Sequence, residues 1–192
     1  TYYSKIKNNN LFKSFNFIDY TEKEINSNFP LTCAVGKSSS SKPKVIEITN
    51  RKLSKKDKPL VIIGKGVTFD TGGVNIKPGT SMRNMKKDMG GSAIAISLFL
   101  LANYFLKKTK IVLIAPIAEN AISSKSMRPG DVYSSVSGKS VEIAHTDAEG
   151  RLLLADAIEK ASSYNPCMII DFATLTGACL LYTSDAADES RG

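Results

Sequence analysis

Three stretches of almost unbroken apolar residue, at 60–63, 110–116 and 168–172, constrain this chain more than anything else in it. They lack the polar-apolar alternation of a strand with one wet face, so each predicts a strand buried on both faces. Between them, 88–108 and 150–164 carry apolar residues at helical spacing. Gly90-Gly91 near the start of the first allows close packing, and Asn165-Pro166 ends the second. Strands alternating with helices imply an α/β fold: a mixed, mostly parallel sheet flanked by helices. In such sheets ligands gather beyond the carboxyl ends of the strands. Asp70, Asp147 and Thr174 all fall in segments that follow an expected strand or hairpin.

The rest of the chain is less regular. Residues 1–30 read as a loose helical region with Ile18, Ile25 and Phe29 as its apolar positions. A Ser-rich loop spans 36–43, a short β-branched run 45–48, and a charged turn 50–58. The glycine-rich stretch 64–79 and the segment 119–130 read as loops, and 131–144, broken at Ser137-Gly138-Lys139, as a β-hairpin.

At 192 residues, 42% hydrophobic and 23% charged, the chain is long and apolar enough for one domain with a real core, which excludes a disordered segment. The longest apolar run, 94–106, contains Asn103 and stops at Lys107-Lys108, so it predicts a buried helix rather than a membrane span. The opening Thr1-Tyr2-Tyr3 shows no signal pattern and, lacking Met, reads as an internal start. Cys33, Cys167 and Cys179 form no CxxC pair, so reduced thiols are expected, with Cys167 in a core strand.

Net charge is +8, with 12 basic against 5 acidic residues in the first 64. A basic segment can attract nucleic acid or anionic lipid. Here the lysines are scattered among Asn and Ser as on a solvated face, so neither a membrane nor nucleic acid is the expected partner.

The chemistry lies in two segments. Lys65-Gly66-Val67-Thr68-Phe69-Asp70-Thr71-Gly72-Gly73 and Thr146-Asp147-Ala148-Glu149-Gly150-Arg151-Leu152 each follow an apolar run and set carboxylates beside a cation. Asp147 and Glu149, one residue apart, can converge on one hard cation where the backbone turns. With Asp70, Asp88, Lys65 and Lys77 they make a candidate carboxylate-rich metal site in a hydrolase. Taken singly, each Asp is equally a cap or turn residue, and Asp88 at a helix start fits a cap. His145, the sole histidine, leaves little support for a histidine zinc site or a Ser/His triad.

Two other motifs fail. Gly36-Lys37-Ser38 ends like a phosphate-binding loop, but the required first glycine would be at position 31, which is Leu31. Asp70-Thr71-Gly72 matches the aspartic-protease triplet, yet no second Asp-Thr-Gly exists to share its proton.

Together with Ile76-Lys77-Pro78, Met85, Asp88-Met89-Gly90-Gly91 and Ala173-Thr174-Leu175-Thr176-Gly177-Ala178, these segments resemble the leucine aminopeptidase (M17) family of two-metal exopeptidases, in order and in spacing, over roughly residues 31–179. The resemblance implies metal ligands at Lys65, Asp70, Asp88, Asp147 and Glu149 for two divalent ions, zinc or manganese. It implies a catalytic pair at Lys77 and Arg151, the lysine polarising the substrate and the arginine holding a bicarbonate that acts as base. Met85, Leu175 and Gly177 would contact the bound peptide. The resemblance also implies peptide substrates, a cytoplasmic location and, for a full-length protein, a homohexamer.

The chain departs from the family at two points. His145 stands where the family usually has Asn. Family members also carry a separate N-terminal domain and a long segment after Ala178. Residues 1–180 are therefore expected to be part of a catalytic domain, and 181–192, which have no core pattern, a non-native or disordered tail. The competing reading, resting on the basic first third, is a non-catalytic fragment or a module that binds nucleic acid or metal.

Overall fold

In the computed structural model, which describes residues 1–176, the apolar runs form adjacent strands of a six-stranded sheet, the first two in its middle and the third beside them. The chain enters through α1 (Tyr2–Lys7), β1 (Asn16–Ile18), α2 (Glu22–Asn28) and α3 (Pro30–Gly36). It continues through β2 (Lys44–Thr49), β3 (Leu60–Gly64), β4 (Gly66–Asp70), the short α4 (Gly79–Met82) and the long α5 (Gly90–Phe105). Then come β5 (Ile111–Asn120), the hairpin β6 (Val132–Ser134) and β7 (Ser140–Glu142), α6 (Gly150–Ser162) and β8 (Met168–Phe172). Strand order is β1-β2-β5-β3-β8, with β4 also on β5. The pairs β3–β5, β3–β8 and β4–β5 are parallel, whereas β1–β2 and β2–β5 are antiparallel, so the fold is the mixed, mostly parallel α/β sheet flanked by helices that the sequence predicts.

Side chains alternate across each strand, and the two sheet faces bury different partners. On one, Ile46, Ile62 and Leu113 pack under Ala95 and Phe99 of α5. On the other, Val61, Ile63, Val112 and Ile114 pack against Ile25 of α2 and Leu154 and Ala157 of α6. Gly91 lets α5 close on the sheet: a Cβ there would lie 2.3 Å from the Phe172 carbonyl oxygen.

Several sequence-based expectations need correction. Residues 1–30 are not uniformly helical, because Ile18 belongs to β1, paired along β2. The α2 helix begins on a capping box in which Thr21 and Glu24 satisfy each other's backbone N–H groups. The 64–79 stretch is not all loop: Val67, Thr68 and Phe69 are β-formers, and β5 supplies an edge for them. β8 is only partly buried, since β3 alone pairs with it among the described residues, and Cys167, one residue before it, is exposed.

By length and composition the segment Met85–Phe105 is sufficient to cross a bilayer, contrary to the limit set from 94–106. Its packing is that of a core helix: Ala95 and Phe99 are wholly buried against the sheet, and the first turn carries Lys86 and Lys87. The β6–β7 hairpin forms as expected, with Val132 opposite Glu142.

Candidate metal centre

The site begins at a break in the sheet. β3 and β4 are consecutive parts of one extended stretch interrupted at Lys65, and they use successive lengths of β5, Ile111–Ile114 and then Ile117–Asn120. β8 follows β3 only as far as Gly64, where the Lys65 N–H donates to the Phe172 carbonyl at 3.0 Å. Beyond that point, among the described residues, β4 pairs with β5 alone. A cavity of about 650 Å³ opens beside it, lined by Lys65, Asp70, Lys77, Asp88, Asp147 and Glu149, with Met85 and Leu175 at its sides.

Lys65 is 2% exposed, and its ammonium reaches three groups. These are both oxygens of Asp88 at 2.9 Å, Glu149 Oε1 at 3.0 Å and the Thr174 carbonyl at 2.7 Å. Thr174 also donates its hydroxyl to Asp88 Oδ1 at 2.7 Å. Asp88 therefore does not cap α5, as its position near a helix start suggested. It ends the turn Met85–Lys87, points at Lys65, and leaves α5 without a side-chain cap. On the other side of the cavity Lys77 Nζ lies 3.0 Å from Asp70 Oδ2 and 2.5 Å from Asp147 Oδ1.

Gly72 makes this second cluster possible. Its φ of +86° is left-handed, and a Cβ there would meet the Asn75 carbonyl at 2.4 Å and Asp147 Oδ1 at 3.1 Å. The 71–77 turn can thus fold tightly under the 145–149 loop and bring Lys77 back over Asp70.

The donor set fits cations. Oxygens of Asp70, Asp147 and Glu149 lie within 4.8 Å of one another. Among the described residues, Asp88 Oδ2, Asp147 Oδ1 and Glu149 Oε2 are buried without a hydrogen-bond partner. The first two touch lysine ammoniums at ion-pair distance but without hydrogen-bond alignment. Four carboxylates face two lysines, and a buried charge without its counterion is strongly disfavoured. Burial pushes the Glu149 carboxyl up to about 7; Lys65 opposes this and the Asp70 charge adds to it. Burial likewise raises Asp88 against the pull of Thr174 and Lys65. Burial alone would lower Lys77, but its bonds to Asp147 and Asp70 outweigh that and raise it.

The structure brings together Lys65, Asp70, Lys77, Asp88, Asp147 and Glu149, with Met85 and Leu175 beside them. Arg151 stands apart: it is exposed on the first turn of α6 and does not line the cavity. Gly177, like residues 181–192, lies outside the described residues. The His145 departure has a local explanation. Its Nδ1 accepts the Asp147 N–H at 3.2 Å, the two-residue turn bond that an Asn oxygen makes. Sequence reasoning missed Asn75 and Asn120 and gave Thr146, the first residue of its motif, no role; the three tie the loops together, and nothing in an isolated Asn or Thr marks it for that task.

A cluster of carboxylates and lysines at the carboxyl end of a mixed α/β sheet defines the class to which this molecule belongs. The chain matches the model of the cytosol aminopeptidase family, catalytic domain, over residues 3–188, and it belongs to that family. It is 44% identical over 148 residues to a protein of Methylibium petroleiphilum named probable cytosol aminopeptidase, covering 77% of this chain and 31% of that protein. A Corynebacterium efficiens protein of the same name is 50% identical over 148 residues, covering 77% and 29%. The chain thus spans about a third of the length of the curated relatives it matches.

Two solved structures are similar. The cytosol aminopeptidase of Coxiella burnetii superposes with a TM-score of 0.75 at 42% identity, over 85% of this chain and 35% of that one. The bottromycin maturation enzyme BotP, in complex with Mn, does so with a TM-score of 0.81 at 31% identity, over 93% and 40%.

Proposed function

We propose that the protein carrying this chain is a cytosolic two-metal aminopeptidase that removes N-terminal residues, leucine among them, from peptides. The observation that carries this reading is the convergence of Asp70, Asp88, Asp147 and Glu149 on one cavity, with three buried oxygens that lack hydrogen-bond partners among the described residues. Lys65, Asp70, Asp88, Asp147 and Glu149 would hold two divalent ions, zinc or manganese, with Lys65 serving as a neutral amine. Bound ions of this kind polarise a scissile carbonyl and lower the pKa of bound water.

The remaining roles belong to the chain's own groups. Lys77, kept charged by Asp70 and Asp147, presents an ammonium to the carbonyl oxygen as negative charge develops there. Met85 and Leu175 offer apolar surface to the substrate side chain at the cavity wall. Arg151, exposed beside the loop that carries Glu149, would hold an anion such as bicarbonate as the proton acceptor. Residues 1–180 would be part of the catalytic domain, and the whole protein a homohexamer.

The test is hydrolysis of a leucyl chromogenic amide. Activity should rise with added Mn²⁺ and drop to background in Asp147→Ala. Metal-loaded protein without peptidase activity, showing steeply salt-dependent DNA binding instead, would sink the reading.

A further inference from the structure

Asp70 and Asp147 come from segments far apart in sequence, yet besides Lys77 a buried amide outside the ligand set reaches both segments. Asn120, the last residue of β5, is 1% exposed. Its Nδ2 donates to Asp70 Oδ1 at 2.8 Å and to the Thr146 carbonyl, one residue before Asp147, at 3.1 Å. An amide nitrogen carries two hydrogens, so one atom serves both acceptors at once. Asn120 is itself fixed: its carbonyl accepts the Thr71 N–H at 3.0 Å and the Thr71 hydroxyl at 2.8 Å.

The far side of Thr146 is closed by Asn75. The Asn75 Oδ1 accepts the Thr146 N–H at 2.8 Å, while the Asn75 N–H donates to Thr146 Oγ1 at 2.9 Å. The Gly72 N–H also donates to Asp70 Oδ1, at 2.8 Å. Both of these hydrogen bonds to Asp70 therefore fall on Oδ1, and Oδ2 is left facing Lys77 and the cavity.

We infer that Asn120 is the positioning residue of the centre: its amide turns one oxygen of Asp70 toward the cations and holds the backbone at Thr146 so that Asp147 meets them. This rests on the two-metal reading above. Groups that orient metal ligands in this way typically matter by roughly 10–100-fold in metal affinity.

The experiment titrates Mn²⁺ into metal-free protein, following the electron paramagnetic resonance of the free ion, and records the visible spectrum of the Co²⁺-substituted form. Asn120→Ala should bind Mn²⁺ roughly 10–100-fold more weakly and shift the Co²⁺ bands. Asn120→Ser, which keeps one donor hydrogen, should show a smaller loss and decides by the same criterion if the alanine variant fails to fold. Thr32→Val removes a buried hydroxyl bond to Asp156 between α3 and α6. It should lower the melting temperature while leaving Mn²⁺ affinity and the Co²⁺ spectrum unchanged. Wild-type affinity and spectrum in the Asn120 variants, with no binding in Asp147→Ala, overturn the role of Asn120 alone. A wild-type protein that takes up no Mn²⁺ overturns the two-metal reading and this inference together.

Discussion

Glu47 on β2 and Glu149 at the start of α6 are buried to the same degree, at 0% and 1% exposure, but their surroundings treat them differently. Glu47 is satisfied by neutral donors: the Tyr20 hydroxyl donates to Oε2 at 2.5 Å, the Tyr164 hydroxyl donates to Oε1, and Lys160 stands 3.9 Å off. Burial and the adjacent Glu47 charge raise both phenols, so they stay protonated donors. Among the described residues Glu149 has one lysine contact, an oxygen with no hydrogen-bond partner, and Asp70 close by. A carboxylate closed off by its own chain is a structural device. One left open among other carboxylates is what the proposed two-metal site requires.

The contrast can be broken most forcefully at Lys65. Lys65→Met leaves Asp88 and Glu149 facing no cation, and removing one partner of a buried ion pair typically costs about 3–5 kcal/mol. The urea midpoint of metal-free protein should drop accordingly, with Mn²⁺ restoring part of the loss. An unchanged midpoint would mean that the carboxylates do not need their counterion.

At the closed cluster, Glu47→Ala leaves two phenols without an acceptor, at about 1–3 kcal/mol for each group that stays buried. Stability should fall while Mn²⁺ affinity stays at the wild-type value. A fall in metal affinity would show that the two clusters are coupled.

Asp156, on α6, lies between these extremes. It accepts the Thr32 N–H at 2.7 Å and the Thr32 hydroxyl at 2.9 Å, yet among the described residues its Oδ1 lacks an aligned hydrogen-bond partner. Burial pushes its carboxyl up to about 6, against the pull of Thr32. Because the folded value lies above the unfolded one, its contribution is full below about pH 4 and is lost as pH rises through 6. Wild-type protein should therefore lose on the order of 2 kcal/mol between pH 4 and 7 from this group. An amide oxygen in the same place accepts from Thr32 as a carboxylate does but does not titrate, so Asp156→Asn should flatten that segment of the stability profile. Denaturation at a series of pH values reads the difference.

How far the sequence goes can be judged residue by residue. The nearly unbroken apolar runs announce β3, β5 and β8, and the helical spacing announces α5 and α6; for β3 and β5 the reason is that a residue buried on both faces of a sheet has no polar alternative. The ligand-type residues Lys65, Asp70, Asp88, Asp147 and Glu149 stand out because carboxylates and lysines following apolar runs are conspicuous. β4 was hidden by the glycines in and around it: Val67 and Phe69 form a strand only because the second half of β5 offers them an edge. The exposure of Cys167 and of β8 was equally hidden, since a run of apolar residues does not say whether another strand lies beyond it.

Chemical identity and spacing along the chain therefore determined the α/β class, the family and the set of charged groups available to the centre. Tertiary structure decided which of those groups meet. It put Lys65 at the break between two strands, turned Asp88 from a helix cap into a lysine partner, and kept Arg151 outside the cavity. It also gave Asn120 two acceptors from segments that are distant in the chain. The physical reason is the range of each signal. Hydrophobic periodicity is written locally and survives in sequence, whereas a hydrogen bond between two loops exists only once the sheet has fixed the distance between them.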